Sequence, residues 1–309
     1  MNLIEIPDKE IKLQSPEHWD EMTQEQVFFC LKKVLMATAG LISVAAARTL
    51  CMYQVLEIKR DWRTVAWERI QSADRVMEKN ANVYLLSEKL FGFLFLEKKG
   101  NFEANYNTVI NHFPELKAGD TILYGPASLF GDLTLGEFRA AKEEMDEYFE
   151  SKEEESLNRF IACLYRPKRK YLESEKESRD WDGKVQEQFN RARITDHAQL
   201  TSLIGPVHKM AVLLWFTHTI QYVQKEDLMI GGRKVNFSIL FPEGESGAAK
   251  GSGFTGILYA IAEKGIFGNI EASDRAGFFD VFLFLYDKEI ENIRAKAKAR
   301  ATQLKKGKR

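Results

Sequence analysis

"LTLGEFRAAKEEMDEYFESKEEESLNRFIACLYRP", residues 133–167, carries a full set of helix start and stop signals. Thr134 and Glu137 have capping-box spacing: the hydroxyl accepts from the amide three residues on, and the carboxylate reaches back. Phe138, Ala141, Met145, Tyr148 and Phe149 then recur on one side of a helix expected over about 135–149. After a short charged break, Leu157, Phe160, Ile161 and Leu164 mark one face of a second helix. Pro167 stops it, because proline removes a backbone donor and crowds the preceding turn. The stretch predicts a helical hairpin.

The same signals recur outward. Thr23 and Gln26 form another capping box, opening a helix with Val27, Cys30, Leu31, Val34 and Leu35 at helical spacing. Gly40 ends or bends it, and a second helical run reaches about Lys59. Trp62, Val65, Ala66, Arg69, Ile70 and Ala73 mark a third helix, which "NAN" (80–82) interrupts. "VYLLSEKLFGFLFLEKK" reads as part helix, part strand. Residues 2–13 read as two β-prone runs forming a hairpin around Pro7-Asp8. Residues 100–134 are rich in turn signals and hold one strand-like piece, "TILYG". Residues 168–200 form a charged bridge. Pro206 opens an apolar helix to about 225, "KVNFSILF" is a short strand, and helices near 254–264 and 274–301 follow. The reading is a mainly α chain with a few short strands, its helical lobes joined by a charged linker. The expected parts are 1–133, a helical lobe with a hairpin start; 134–167, the helical hairpin; 168–200, the linker; and 201–309, a helical lobe with a basic segment.

Composition bounds the function. The 309 residues are 45% hydrophobic and 29% charged, which suits a globular protein with a sizeable core, and a net charge of −1 does not mark the whole chain as a nucleic-acid binder. Charge is uneven: residues 137–155 hold nine acids against three bases, whereas 294–309 hold eight bases and no acid. The uncharged run Val34–Ala47 is shorter than the roughly 20 residues a bilayer span needs, so no membrane contact is expected. The start is polar and mixed in charge, unlike a signal peptide, and the expected location is cytoplasmic. Cys30, Cys51 and Cys163 are far apart in apolar runs and read as three buried thiols.

No motif points to catalysis, a cofactor or a metal. "GSGFTG" (251–256) fits a G-x-G-x-x-G fingerprint in its letters, with Gly251, Gly253 and Gly256. It lacks the strand that should run straight into it, and Glu271 does not end a convincing second strand. Lys250 is followed by Gly251, so it is not a Walker A loop either. A nucleotide-dependent enzyme is therefore a minor alternative. His18, His112, His197, His208 and His218 show no tight metal-ligand spacing. Asp180 and Asp182 lack the other ligands of a calcium loop. The basic segment suits a helix end, with an acidic surface or nucleic-acid phosphate as alternative contacts.

Tyr124, Gly125 and Pro126, then Leu133, Thr134, Gly136, Glu137 and Phe138, then Leu164, Tyr165, Arg166 and Pro167 make a Y-G-P…L-T-x-G-E-F…L-Y-R-P pattern. It resembles proteins of the structural gene block, near the tail tape measure, of tailed phages and prophages of Bacteroidota. The opening, with Trp19, Thr23 and Gln26, and "DWDGKVQEQFN", with Asp182 and Phe189, are similar to the same family. The resemblance spans about two thirds of the chain and does not cover 27–100. It implies a non-enzymatic morphogenesis protein in the host cytoplasm, a tail assembly chaperone that binds a structural protein such as a tape measure. A stable neck or tail connector is the alternative. The residues expected to contact the partner are Phe138, Met145, Tyr148, Phe160, Tyr165, Arg166 and Phe254.

Overall fold

The computed structural model describes residues 1–6, 11–59, 66–67, 69–179, 181–241 and 266–306. The loop 242–250, "GSGFTG" and the helix expected near 254–264 with Phe254 lie outside the described residues, as do 62–65 and 68 of the helix expected from Trp62; its residues 69–72 form a turn that leads into the next helix. The chain is mainly α, with ten α-helices and short antiparallel strand pairs among the described residues. It divides into two compact units: Met1–Phe113 with Gly205–His218, and Pro114–Ile204 with Thr219–Arg309.

In the first unit, β1 (Asn2–Ile6) pairs antiparallel with β2 (Ile11–Ser15), as the paired β-prone runs predict. Helix α1 (Gln24–Thr38) starts at the Thr23–Gln26 capping box, both halves of which are formed. It ends before Gly40, whose φ of +74° turns the chain at no side-chain cost. Helix α2 (Val44–Val55) is capped by the Ser43 hydroxyl. Helix α3 (Ala73–Phe91) runs straight through "NAN", where a break was expected. Asn80 and Asn82 are exposed there, so water satisfies their amides and only a mild propensity cost remains. The chain then forms the hairpin β3 (Phe95–Lys98) and β4 (Asn101–Ala104), turning at Lys99-Gly100 with both φ positive. Trp19 anchors the unit. Its indole donates to the Asn105 carbonyl at 2.6 Å, and its ring meets Tyr106 edge-on at 4.8 Å. Helix α8 (Pro206–Lys225) gives Pro206–His218 to this unit, where His208 stacks on Phe28 and Trp215 donates to the Val109 carbonyl.

The second unit is built on the quoted stretch. Strands β5 (Glu115–Ala118), β6 (Thr121–Tyr124) and β7 (Arg166–Pro167) form a small antiparallel sheet. Helices α4 (Leu135–Ser151) and α5 (Glu154–Leu164) are the expected hairpin. The charged segment 168–200, expected as a bridge between lobes, lies wholly within this unit. It holds α6 (Leu172–Lys176) and α7 (Ile194–Thr201), and it is tied back to the strand end: Glu187 N–H donates to the Pro167 carbonyl and Arg169 N–H to that of Val185. A Gly231-Gly232 turn joins β8 (Asp227–Ile230) to β9 (Arg233–Asn236). "FSIL" continues as a 3-10 turn and not as the strand expected. Helices α9 (Ile270–Arg275) and α10 (Phe278–Lys306) replace the single helix expected from 274, because Ala276-Gly277 is drawn out. There Leu135 N–H donates to the Ala276 carbonyl, and Phe278 N–H to that of Leu133.

An aromatic cluster fills the core of this unit. Phe130, Phe138, Phe237, Phe278 and Phe282 are buried, with Phe138 and Phe278 ring centroids 4.6 Å apart. Leu129 and Phe130 hold left-handed backbone (φ 55° and 58°), a conformation that costs a non-glycine residue on the order of 1–3 kcal/mol. Burial of the Phe130 ring offsets it. Gly125 is required by a close approach: a Cβ there would stand 2.2 Å from Cε1 of the buried Tyr165 ring. Gly125→Ala is therefore expected to destabilise the fold by about 1–3 kcal/mol through overpacking. Adding Tyr165→Leu should recover part of that loss. Urea denaturation of the single and double variants checks this; a Gly125→Ala midpoint equal to wild type contradicts it.

Candidate functional site

The residues of the Y-G-P…L-T-x-G-E-F…L-Y-R-P pattern converge in the second unit around one buried carboxylate. Thr134 caps α4, and Glu137 reaches back to the Thr134 amide at 2.8 Å, completing the capping box. Glu137 is 2% exposed, and it faces two buried cations. Arg166 donates from Nη2 to Glu137 Oε1, and the Lys184 Nζ donates to Glu137 Oε2 at 2.6 Å. The rest of the Arg166 guanidinium is used as well. Its Nε donates to the Glu187 carbonyl at 2.8 Å and its Nη1 to the Cys163 carbonyl at 2.6 Å, with the Phe189 ring beside it. Arg166 therefore closes the C-terminal end of α5, where carbonyls lack helical partners.

Burial pushes the Glu137 carboxyl up, but the Arg166 and Lys184 charges outweigh it and hold the group below its ordinary range. The consequence for stability has a definite sign. A carboxyl depressed in the folded state contributes stability above its unfolded pKa, and that contribution is lost as pH falls through the folded value. Burial raises the Cys163 thiol well above its usual range, so it stays protonated. Cys30, Cys51 and Cys163 are all free and buried.

Two further contacts surround this knot. Arg139, one turn along α4, donates to both oxygens of Asp274, and Gly136 lets the two segments approach: a Cβ there would stand 3.0 Å from the Asp274 carbonyl. Arg169 donates to Glu175 and Asp182, and Asp182 accepts from the Lys184 amide. Asp182 is thus an arginine partner and a turn former, not a calcium ligand with free oxygens. Among the described residues no group of His, Cys, Asp and Glu is placed to hold a metal. Burial lowers His112, His197, His208 and His218 below the usual histidine range.

This geometry corrects the expected contact residues. Phe138, Met145, Phe160, Tyr165 and Arg166 are buried within the chain's own core and present no surface to a partner. The first four pack there because the hairpin's apolar faces turn inward, and Arg166 because Glu137 is there. Tyr148 is half-buried beside the exposed Phe149, with the Lys152 ammonium over both rings. Phe254 lies outside the described residues. Sequence reasoning missed Lys184 as the second cation of the knot. Its only signal is its place two residues after Asp182 in a segment that carries part of the resemblance.

A different surface stands out in the first unit. The first four turns of α3 bury no side chain, and Met77, Tyr84 and Leu85 are exposed on it. Trp67 and Ile70, just before the helix, are exposed as well. An open cleft of about 450 Å³ runs along the same helix, lined by Gln71, Arg75, Glu78, Asn82, Val83 and Leu86 among others. No helix among the described residues is long and apolar enough to cross a membrane. No family model, curated protein or solved structure matches the chain.

The buried knot yields a pH prediction. Glu137→Gln removes the carboxylate and leaves Arg166 and Lys184 without an anion, a change that costs about 3–5 kcal/mol when a buried pair is broken. It should also flatten the acid limb: wild type loses stability as pH falls below the ordinary carboxyl value of 4.5, and the variant loses less over that range. Urea midpoints from pH 7 to pH 3 check both statements. A variant with wild-type stability and an unchanged acid limb contradicts them.

Proposed function

We propose that this chain is a non-enzymatic assembly protein of a tailed phage that binds another structural protein and acts as a tail assembly chaperone. Two things support the reading: the resemblance carried by 124–167, and the apolar surface of α3. The second observation carries it. Met77 and Tyr84, seven residues apart, stand on one row of the helix, with Leu85 a quarter-turn round from them, while the cleft at Asn82 and Leu86 opens on the other side. Side chains of this size held in water favour a client that covers them. An amphipathic helix laid along the Met77–Tyr84 row would cover it with its own apolar face. A tape measure, being a long helical protein, offers such segments before it is assembled. The knot around Glu137 has a supporting role in this reading, since it fixes the second unit and makes no contact itself.

The test is co-expression with the long helical protein encoded in the same structural gene block, reading the soluble fraction of that client. Met77→Glu/Tyr84→Glu/Leu85→Glu should lower soluble client at least about tenfold while leaving stability nearly unchanged, because exposed positions typically contribute within about 0.5 kcal/mol each. Client solubility that is indifferent to the triple variant would falsify the α3 assignment. A proteome of purified particles separates the roles: abundance of this chain in mature virions rejects the chaperone in favour of a neck or tail component.

A further inference from the structure

The last helix carries an inference of its own. Helix α10 is anchored by its first half: Phe278, Val281 and Phe282 are buried in the aromatic core. From Glu291 to Gln303 every residue is exposed. The helix persists there without tertiary support for two reasons. Its nucleus is already formed in the packed half, so only propagation is needed. Its exposed part alternates alanine with lysine and arginine, which are strong helix formers.

The arrangement of charge is specific. Arg294, Lys296, Lys298 and Arg300 have no ion-pair partner among the described residues, and no acid lies anywhere in 294–309. At about 100° per residue, Arg294 and Lys298 share one side of the helix, while Lys296 and Arg300 share a side centred roughly 160° away. Between the two rows stand Ala295, Ala297 and Ala299, and Ala301 falls in line with Arg294. This is a slender basic helix with a cationic row on each flank. A flat acidic protein surface would engage one row and leave the other in water.

We propose that the exposed part of α10 binds duplex DNA, lying in the major groove with one basic row toward each phosphate wall. The groove, about 12 Å wide, admits an α-helix of about 10–12 Å, and the alanines keep this one at the narrow end. Both walls of the groove are anionic, so both rows find phosphates and release counterions. No aromatic residue lies in 294–309, so the stacking platform that single strands use is missing from the segment. A-form RNA presents a major groove too deep and narrow for side chains to read, which sets DNA apart from duplex RNA as the ligand. The contact is to the backbone and carries little sequence preference. The chain's own acidic stretch is a poorer match for a second copy. Glu143, Glu144, Asp146 and Glu155 are already paired with Arg139, Arg191, Arg159 or Lys142.

The test uses the full chain and a fluorescent duplex of about 20 bp, titrated by anisotropy from about 50 to 200 mM salt. Wild type should bind, with log K falling linearly against log salt. Arg294→Ala/Lys296→Ala/Lys298→Ala/Arg300→Ala keeps the helix and removes four charges, so the slope should shrink by about 3.6. A second variant, Lys296→Ala/Ala297→Lys/Arg300→Ala/Ala301→Arg, keeps the net charge and gathers all four cations on one side. It should bind the DNA duplex at least about fivefold more weakly than wild type, with circular dichroism unchanged for both variants. Absence of wild-type binding at the lowest salt overturns the proposal. So does equal affinity of the rearranged variant, or duplex RNA or polyglutamate competing as well as DNA at equal charge.

Discussion

The carboxylate of Glu137 sits out of water, and the second unit is arranged to compensate that one charge. An isolated buried carboxylate would neutralise itself or unfold its surroundings. Here two cations and a backbone amide satisfy it: Arg166 from the end of α5, Lys184 from the charged segment, and the Thr134 amide from the start of α4. Three pieces of chain that are distant in sequence are thereby held at one point. Arg166 extends the tie through the carbonyls of Cys163 and Glu187, so the helix end and the segment after it are fixed by the same guanidinium. Tyr165 lies over Gly125, and Gly136 lies against Asp274. Gly125, Thr134, Gly136, Glu137, Tyr165 and Arg166 of the pattern thus each have a job within the fold.

Much of the architecture was legible because its signals are local. The capping boxes at Thr23 and Thr134 mark helices that begin where they should, and Pro167 and Pro206 stop and start helices as their missing N–H requires. The hairpin 134–167 was plain because period and caps agree. Local signals also existed where the reading failed. Gly231-Gly232 and Lys99-Gly100 are two-residue turns with positive φ, which is the usual hairpin connection, and each joins an expected strand to a partner, β8 or β4, that was not expected. "NAN" failed for the opposite reason, since asparagine disfavours a helix only weakly when its amide is solvated. Gly277 broke the last helix because Leu133 and Leu135 pair with its neighbours, a long-range demand that no window of sequence contains.

The candidate site shows the same division. Glu137 and Arg166 were both recognised, one as a cap and one as a helix-end group, but their ion pair spans 29 residues and was not. Lys184 was hidden in a segment whose charge suggested a solvated linker. Two of its charges are structural: Lys184 reaches the buried Glu137 carboxylate, and Arg169 reaches the Gln186 carbonyl and the carboxylates of Glu175 and Asp182. Apolar residues on a hairpin face look alike whether they meet a partner or their own core. Phe138, Met145 and Phe160 meet their own core, and an exposed apolar row lies on α3, in a part of the chain that the resemblance does not reach. Scaffold and surface are therefore separate in this protein: the pattern residues make the former, and α3 and the exposed half of α10 supply the latter.

Glu137 and Arg166 act as one structural unit. A double-mutant cycle of Glu137→Gln and Arg166→Met, read by urea denaturation at pH 7, measures their coupling directly. An interaction energy of at least about 1 kcal/mol is expected, with the double variant less destabilised than the sum of the two single changes. Additivity within about 0.5 kcal/mol would contradict it, leaving each residue to be explained by its own neighbours.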